Sequence, residues 1–187
     1  MRSRNRVRLV AVAAGLCGLV PLGVTSSAAA KTAAEINAGV EAARDQCAEQ
    51  IPGCNAAAEK AQGMLVFPEV TKAAVGVGGA YGEGALIVDD RTEGYYSTTA
   101  ASIGLQLGAE RYAQIIMFMT ADALDEFRSS SGWEAGANAK VTMIDQGKAA
   151  DLSSVMANNP VIGFVFGQKG LMGDLSLEGS KITKLER

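Results

Sequence analysis

The sequence predicts an α+β domain in which a strongly curved antiparallel sheet, or partial barrel, follows N-terminal helices and has one helix inserted between its strands. Three observations predict it. The residues before Gly63 recur at helical spacing between good caps. From Met64 the chain turns to short runs rich in Val, Ile, Phe and Tyr, punctuated by glycine. Seventeen of the 22 glycines lie from Gly63 onward, many inside predicted strands, where glycine marks a bend, a bulge or a close backbone approach. With 48% hydrophobic and 20% charged residues, the chain has enough apolar surface to offset the entropy of folding.

Residues 1–30 read as a secretory signal. Arg2, Arg4, Arg6 and Arg8 form a basic start, Leu9 to Val24 an apolar run, and Ser27-Ala28-Ala29-Ala30 a small-residue cleavage site, with the cut after Ala30. The other reading is a retained anchor; the run has sixteen residues broken by Pro21, against about 20 for a spanning helix. Cys17 follows Leu16 where lipidation wants a small residue. The expected location is outside the cytoplasm: periplasmic, membrane-associated or secreted.

Residues 31–187 read as one domain, a helical preface over 31–63 and a β-rich part over 64–187. Thr32 and Glu35 have capping-box spacing, and Ile36, Val40, Ala43 and Cys47 follow at helical intervals, which predicts a helix over 33–49. A second runs from Asn55, as N-cap, to Gly63. Predicted strands cover 64–67, 73–81, 84–89, 94–107 with a break, 111–119, 136–144, 161–167, 170–178 and 180–185. The runs 115–119 and 161–166 are apolar on both faces and therefore central. Between strands, Thr120 caps a helix with Asp122, Asp125 and Glu126 early and Leu124 and Phe127 facing inward.

Cys47 and Cys54 are the two thiols of the exported part, and Ile51-Pro52-Gly53 between them can form a turn. An even number of cysteines in an exported chain reads as a disulfide, the alternative being two buried thiols. Two thiolates without histidine leave a tetrahedral metal site half empty, so no metal is expected.

Several function classes drop out. The chain has no histidine, which removes imidazole as base, shuttle or ligand. Losing residues 1–30 removes four arginines and no acid, leaving 13 basic against 20 acidic residues, net −7. A nucleic-acid binder needs a basic stripe, and none is present. The glycine-rich stretch Gly76 to Gly84 lacks the Lys-Ser/Thr of a phosphate loop, and Tyr81 stands where a dinucleotide fingerprint needs glycine; it reads as a curved strand and hairpin. Paired acids such as Asp89 with Asp90, or Glu83 with Glu93, offer no reason for their pKa values to separate, and adjacent acids at a strand end read as a solvated turn. No enzyme and no cofactor is expected.

Ordered segments then carry a resemblance. Ala61-Gln62-Gly63-Met64-Leu65-Val66-Phe67-Pro68, Lys72 to Gly79, Tyr81-Gly82-Glu83-Gly84, Gly94-Tyr95-Tyr96-Ser97, Ser102 to Glu110, Phe118-Met119-Thr120, Phe164 to Met172 and Leu175 to Gly179 resemble the SYLF family of lipid-binding domains. The resemblance covers about residues 55–185 and implies a non-enzymatic protein that associates with lipid or membrane. Eukaryotic members also bind phosphoinositides and actin. Residues 31–63 carry three basic side chains against five acids, and an exported protein would not meet cytoplasmic actin, so actin is an unlikely partner. Expected head-group contacts are Lys60, Lys72 and Lys169, at motif positions beside glycine-rich backbone. Val77, Tyr81 and Leu171 could face acyl chains, although a core role competes. The alternative function is an envelope structural or protein-interaction module without lipid.

Overall fold

The chain's first described helix starts where the cap residues say it should. A computed structural model describes residues 30–144, 152–170, 177 and 179–187, so the expected signal segment before Ala30 and Leu171 lie outside the described residues. In helix α1 (Ala33–Gln50) the Thr32 hydroxyl accepts from the Glu35 amide, and the Thr32 amide donates to Glu35 Oε2 at 2.7 Å. These two bonds satisfy donors that helix geometry would otherwise orphan. They also hold the Glu35 carboxyl below its usual range, the Thr32 amide contributing most. Ile36, Val40, Ala43 and Cys47 form its buried stripe.

Cys47 is bonded to Cys54, the first residue of helix α2 (Cys54–Ala58). That helix is shorter than the expected Asn55–Gly63 segment. Gly53, at φ 85°, is its N-cap, and Gly63 opens a strand and ends no helix. The disulfide, with its Ile51-Pro52-Gly53 turn, sets where α2 begins.

Two very long strands follow, β1 (Gly63–Val88) and β2 (Arg91–Phe118). They pair antiparallel from Gly63↔Phe118 to Val88↔Arg91, across a two-residue turn in which Asp89 and Asp90 both take positive φ, 48° and 57°. Aspartate tolerates that left-handed region better than most residues, and a turn with both φ positive matches the twist of the strands it joins. Five shorter predicted strands are therefore two. The break read at 68–72 is the register shift at Phe67/Val70, which bends a strand without ending it. Residues 82–83 and 108–110 pair with no shift, and the shifts at Val75/Val77 and Leu86/Ile87 fall inside predicted strands. The stretch Gly76 to Gly84 is curved strand without a hairpin, the reversal being at Asp89–Asp90.

After β2 come helix α3 (Ala121–Ser129), β3 (Trp133–Glu134), β4 (Thr142–Ile144), helix α4 (Leu152–Asn158), β5 (Val161–Gly170) and β6 (Lys181–Leu185). The six strands form one sheet ordered β3-β6-β2-β5-β4, with β1 on the other edge of β2. Two expectations need correction. The segment 136–144 is a strand only at 142–144 and runs parallel to β5, so the sheet is mixed. Two helices, not one, interrupt the strands, because α4 brings β5 back alongside β4.

Both sheet faces are apolar where the strands are central. Met64, Val66, Ile115, Met117, Ile162 and Phe164 face one core, under α1, α2 and α4. Leu65, Phe67, Ile116, Phe118, Val161 and Val165 face the other, against Leu124 and Phe127 of α3 and Trp133. On that side Phe127 lies 5.0 Å from the Tyr96 ring, 4.9 Å from Phe118 and 5.8 Å from Trp133, within the range of favourable aromatic pairing.

The strands curl enough to meet themselves. Val66 and Gly84 belong to one strand and would stand roughly 60 Å apart if it were straight. Instead a Cβ on Gly84 would lie 2.1 Å from the Val66 carbonyl oxygen. This is the close backbone approach that the glycine distribution predicts. Gly84→Ala is expected to destabilise by about 1–3 kcal/mol or more. Gly79→Ala, whose nearest neighbour would be 3.5 Å away, should be close to neutral in the same thermal melts. Replacing Cys47 and Cys54 by serine should cost about 2.5 kcal/mol on the loop-entropy account, read as a shift in the urea midpoint.

Candidate functional site

Strand β2 has partners on its second edge at two stretches only among the described residues: β6 covers Tyr95–Thr99 and β5 covers Glu110–Phe118. Between them, residues 100–103 and 107–109 pair with β1 and, among the described residues, with no other strand, which makes this stretch a two-stranded arc there. In this stretch, opposite Ile103, and at its border with β6, opposite Thr99, stand the large hydrophobics that are exposed among the described residues, Val77 at 71% and Tyr81 at 51%. Register runs unbroken from Val77↔Ile103 to Val88↔Arg91 except at Leu86/Ile87, so Val77, Gly79, Tyr81 and Glu83 share a face. That is the face which, further along β1, carries Ala85 into the core beneath α1. Exposed alanines 73, 101 and 109 extend the weakly polar character of the arc.

Glu83 marks the border between open arc and covered core. It is 5% exposed, and each oxygen is engaged: Oε1 accepts from the Tyr81 hydroxyl at 2.7 Å and Arg187 Nη2 at 2.9 Å, and Oε2 accepts from the Lys31 amide at 3.0 Å. Burial alone would raise this carboxyl. The Tyr81, Lys31 and Arg187 donors outweigh it and hold Glu83 below the usual carboxylate range. Tyr81 responds in the opposite sense, pushed up to about 12 by burial first and the bond to Glu83 second. The tyrosine is thus neutral at any physiological pH, with its hydroxyl tethered inward while its ring stays exposed.

The expected cations do not form one cluster. Lys72 pairs across to Glu110 and Lys169 to Arg111, which puts both at one end of the arc but on opposite faces, since Glu110 and Arg111 are adjacent along β2. Lys60 follows α2 beside the Gly63↔Phe118 end, about seven residues away along the sheet, roughly 23 Å. The acid pairs considered for catalysis are separated by their partners. Glu83 is held by Arg187, Glu93 by Arg128, and Asp89 with Asp90 makes the hairpin turn. A groove of about 410 Å³ near that turn has a polar lining of Arg44, Glu59, Asp89 and Asp90 and an apolar lining that includes Met64 and Ile87, with Arg44 Nη2 2.9 Å from Asp90 Oδ1.

Sequence reasoning missed Lys31 and Arg187, whose partner is 52 and 104 residues away, and Glu110. Glu110 is 2% exposed, and its Oε2, like Gln114 Nε2 on the same face, has no hydrogen-bond partner among the described residues. Burial raises its carboxyl, with the attraction of Lys72 too small to reverse the shift. A raised folded pKa means that the stability from Glu110 is fully present below its unfolded value and lost as pH rises through the folded one. Glu110→Gln should therefore raise the melting temperature near pH 7 by about 2–4 °C, what roughly 1 kcal/mol gives in a domain of this size, with the gain fading towards pH 4.

No helix among the described residues is long and apolar enough to cross a membrane. The family model Ysc84, described as "Las17-binding protein actin regulator", matches residues 99–187. That span takes in most of β2 and everything after it, including the outer strand of the arc and Arg187. Comparison with curated proteins gave no match. The description speaks of binding and names no reaction. Residues 99–187 belong to this family, the SYLF domain family.

Proposed function

We propose that this is a non-enzymatic protein of the cell envelope, exported by residues 1–30, that associates reversibly with lipid through the β1/β2 arc. The observation carrying this reading is the exposure of Val77 and Tyr81 on one face of a sheet segment that no helix covers among the described residues. Apolar side chains held on a rigid strand can enter the acyl boundary without a folding cost at the moment of binding. Lys72 and Lys169, at one end of the arc, are the candidate phosphate contacts, with Arg111 beside Lys169. Being on opposite faces, Lys72 and Lys169 would meet different head groups, and Lys60 stands apart from both. With net −7 after the expected cut, charge opposes approach to an anionic surface, so apolar insertion must supply the affinity.

A second reading, a structural or protein-interaction module of the envelope, is favoured by the protein partner in the family description. One stoichiometric partner co-purifying without lipid would support it.

The test is flotation of the chain from Lys31 to Arg187 with vesicles of anionic, zwitterionic and native envelope lipid. Binding is expected to change little between low and high salt. Val77→Asp should lower it about tenfold, the equivalent of 1.4 kcal/mol, while leaving the melting temperature within about 2 °C, since the side chain packs against little. Absence of flotation on all three lipids would overturn the lipid reading.

A further inference from the structure

Glu83 Oε1 is occupied by Tyr81 and Arg187, and Oε2 is given to the backbone nitrogen of residue 31. A peptide nitrogen supplies one neutral N–H there. The same atom, as the first nitrogen of a chain, would be an ammonium carrying a full charge onto a carboxylate that is 5% exposed. We propose that Glu83 is the acceptor site for the α-ammonium group created when the Ala30–Lys31 peptide bond is hydrolysed, so that processing closes a charged pair at the border of the arc.

The proposal takes the position of the cut from the export reading and adds what the cut does to the fold. In the step, an endopeptidase adds water across the Ala30–Lys31 bond. The C–N bond breaks, Ala30 keeps the carboxylate, and the Lys31 nitrogen takes a proton, as an α-amino group with an ordinary pKa of about 7.7–8.0 does at neutral pH. Two further observations bear on it. The compact unit begins at Lys31. Position 31 is fixed from its C-terminal side, because the Thr32 amide is locked to Glu35 Oε2 at 2.7 Å, so the nitrogen meets Glu83 by the fold's own geometry. The Lys31 side chain is directed elsewhere, with Nζ 3.8 Å from Glu69 Oε1.

The experiment has two arms. Intact mass of the protein recovered from the envelope of the producing cell gives its first residue, expected to be Lys31; any other first residue overturns the proposal. Separately, purified chains starting at Lys31, at Ala30 and at Ala29 are melted with Glu83 intact and as Glu83→Gln. The longer starts keep the Lys31 amide and move the charge away by one or two residues. The Lys31 start should melt about 3–6 °C higher than either, as a charge-assisted bond replaces a neutral one. In Glu83→Gln the three starts should coincide. Equal melting of the three starts with Glu83 intact overturns the acceptor role, as does a gain that persists in Glu83→Gln. Should Glu83→Gln fail to fold, the comparison of starts in the native background still decides. Vesicle flotation of the Lys31 start reports on the lipid reading independently, so failure of either is told from failure of the other.

Discussion

The reversal at Asp89–Asp90 sets the register of β1 against β2, and through it the side of the sheet on which every later residue falls. Because side chains alternate with a period of two, a slip by one residue would exchange the two faces along the entire pair. Here the exchange would carry Met64 and Val66 to the α3 side and bring Leu65 and Phe67 under α1, when each core is already packed for the other set. Register is therefore pinned by two cores at once. That allows strands of 26 and 28 residues, far beyond the usual five or six, to hold one pairing.

A sheet with two apolar faces must be covered twice, and the supply of cover shapes the molecule. On one side α1, α2 and α4 provide it; on the other, α3 and Trp133 do so, helped by the curl that carries Gly84 against the Val66 carbonyl. Cover by α1 ends where its capping box places the first turn, at Thr32, and Glu83 stands at that limit holding the Lys31 amide. Beyond it the same sheet face continues as Tyr81, Gly79 and Val77 with no helix above among the described residues. The open arc thus follows from the length of one helix relative to one strand.

Much of this was legible locally. The capping box, the stripe of α1, the Cys47–Cys54 bridge, the cap of α3 and the aspartate turn each depend on residues within a few positions, and all stand as the sequence predicts. The two-faced apolar runs correctly marked the sheet centre. Strand continuity was misread because glycine and a lost alternation look the same whether a strand ends or only bulges. The parallel direction of β4, inside the segment 136–144 that did read as a strand, and helix α4, which returns the chain to β5, follow from a pairing that no local pattern encodes. The exposure of Val77 ran against its composition, since alternation puts it on the face of Ala85, and only the end of α1 leaves it bare. Glu83 looked like one of several surface acids because its donors come from both ends of the described chain.

Magnitudes limit what the proposed lipid contact can be. Fully burying a side chain such as valine is worth about 1.5–3 kcal/mol, and a half-exposed tyrosine adds a similar amount at most. Together they reach roughly 3–6 kcal/mol, whereas a dissociation constant near 1 mM already corresponds to 4.1 kcal/mol. Even a single myristoyl chain gives only marginal, reversible attachment. Two side chains alone therefore cannot act as an anchor. What they can do is hold lipid transiently, and for that rigidity counts more than area. Tyr81 cannot swing freely, since its hydroxyl is fixed on Glu83 and Glu83 is fixed by Arg187 and the Lys31 amide. Ordering entropy that a flexible loop would lose on contact is already lost on folding. A carboxylate buried at the edge of the arc thus serves the surface beside it, by converting a mobile aromatic into a fixed one.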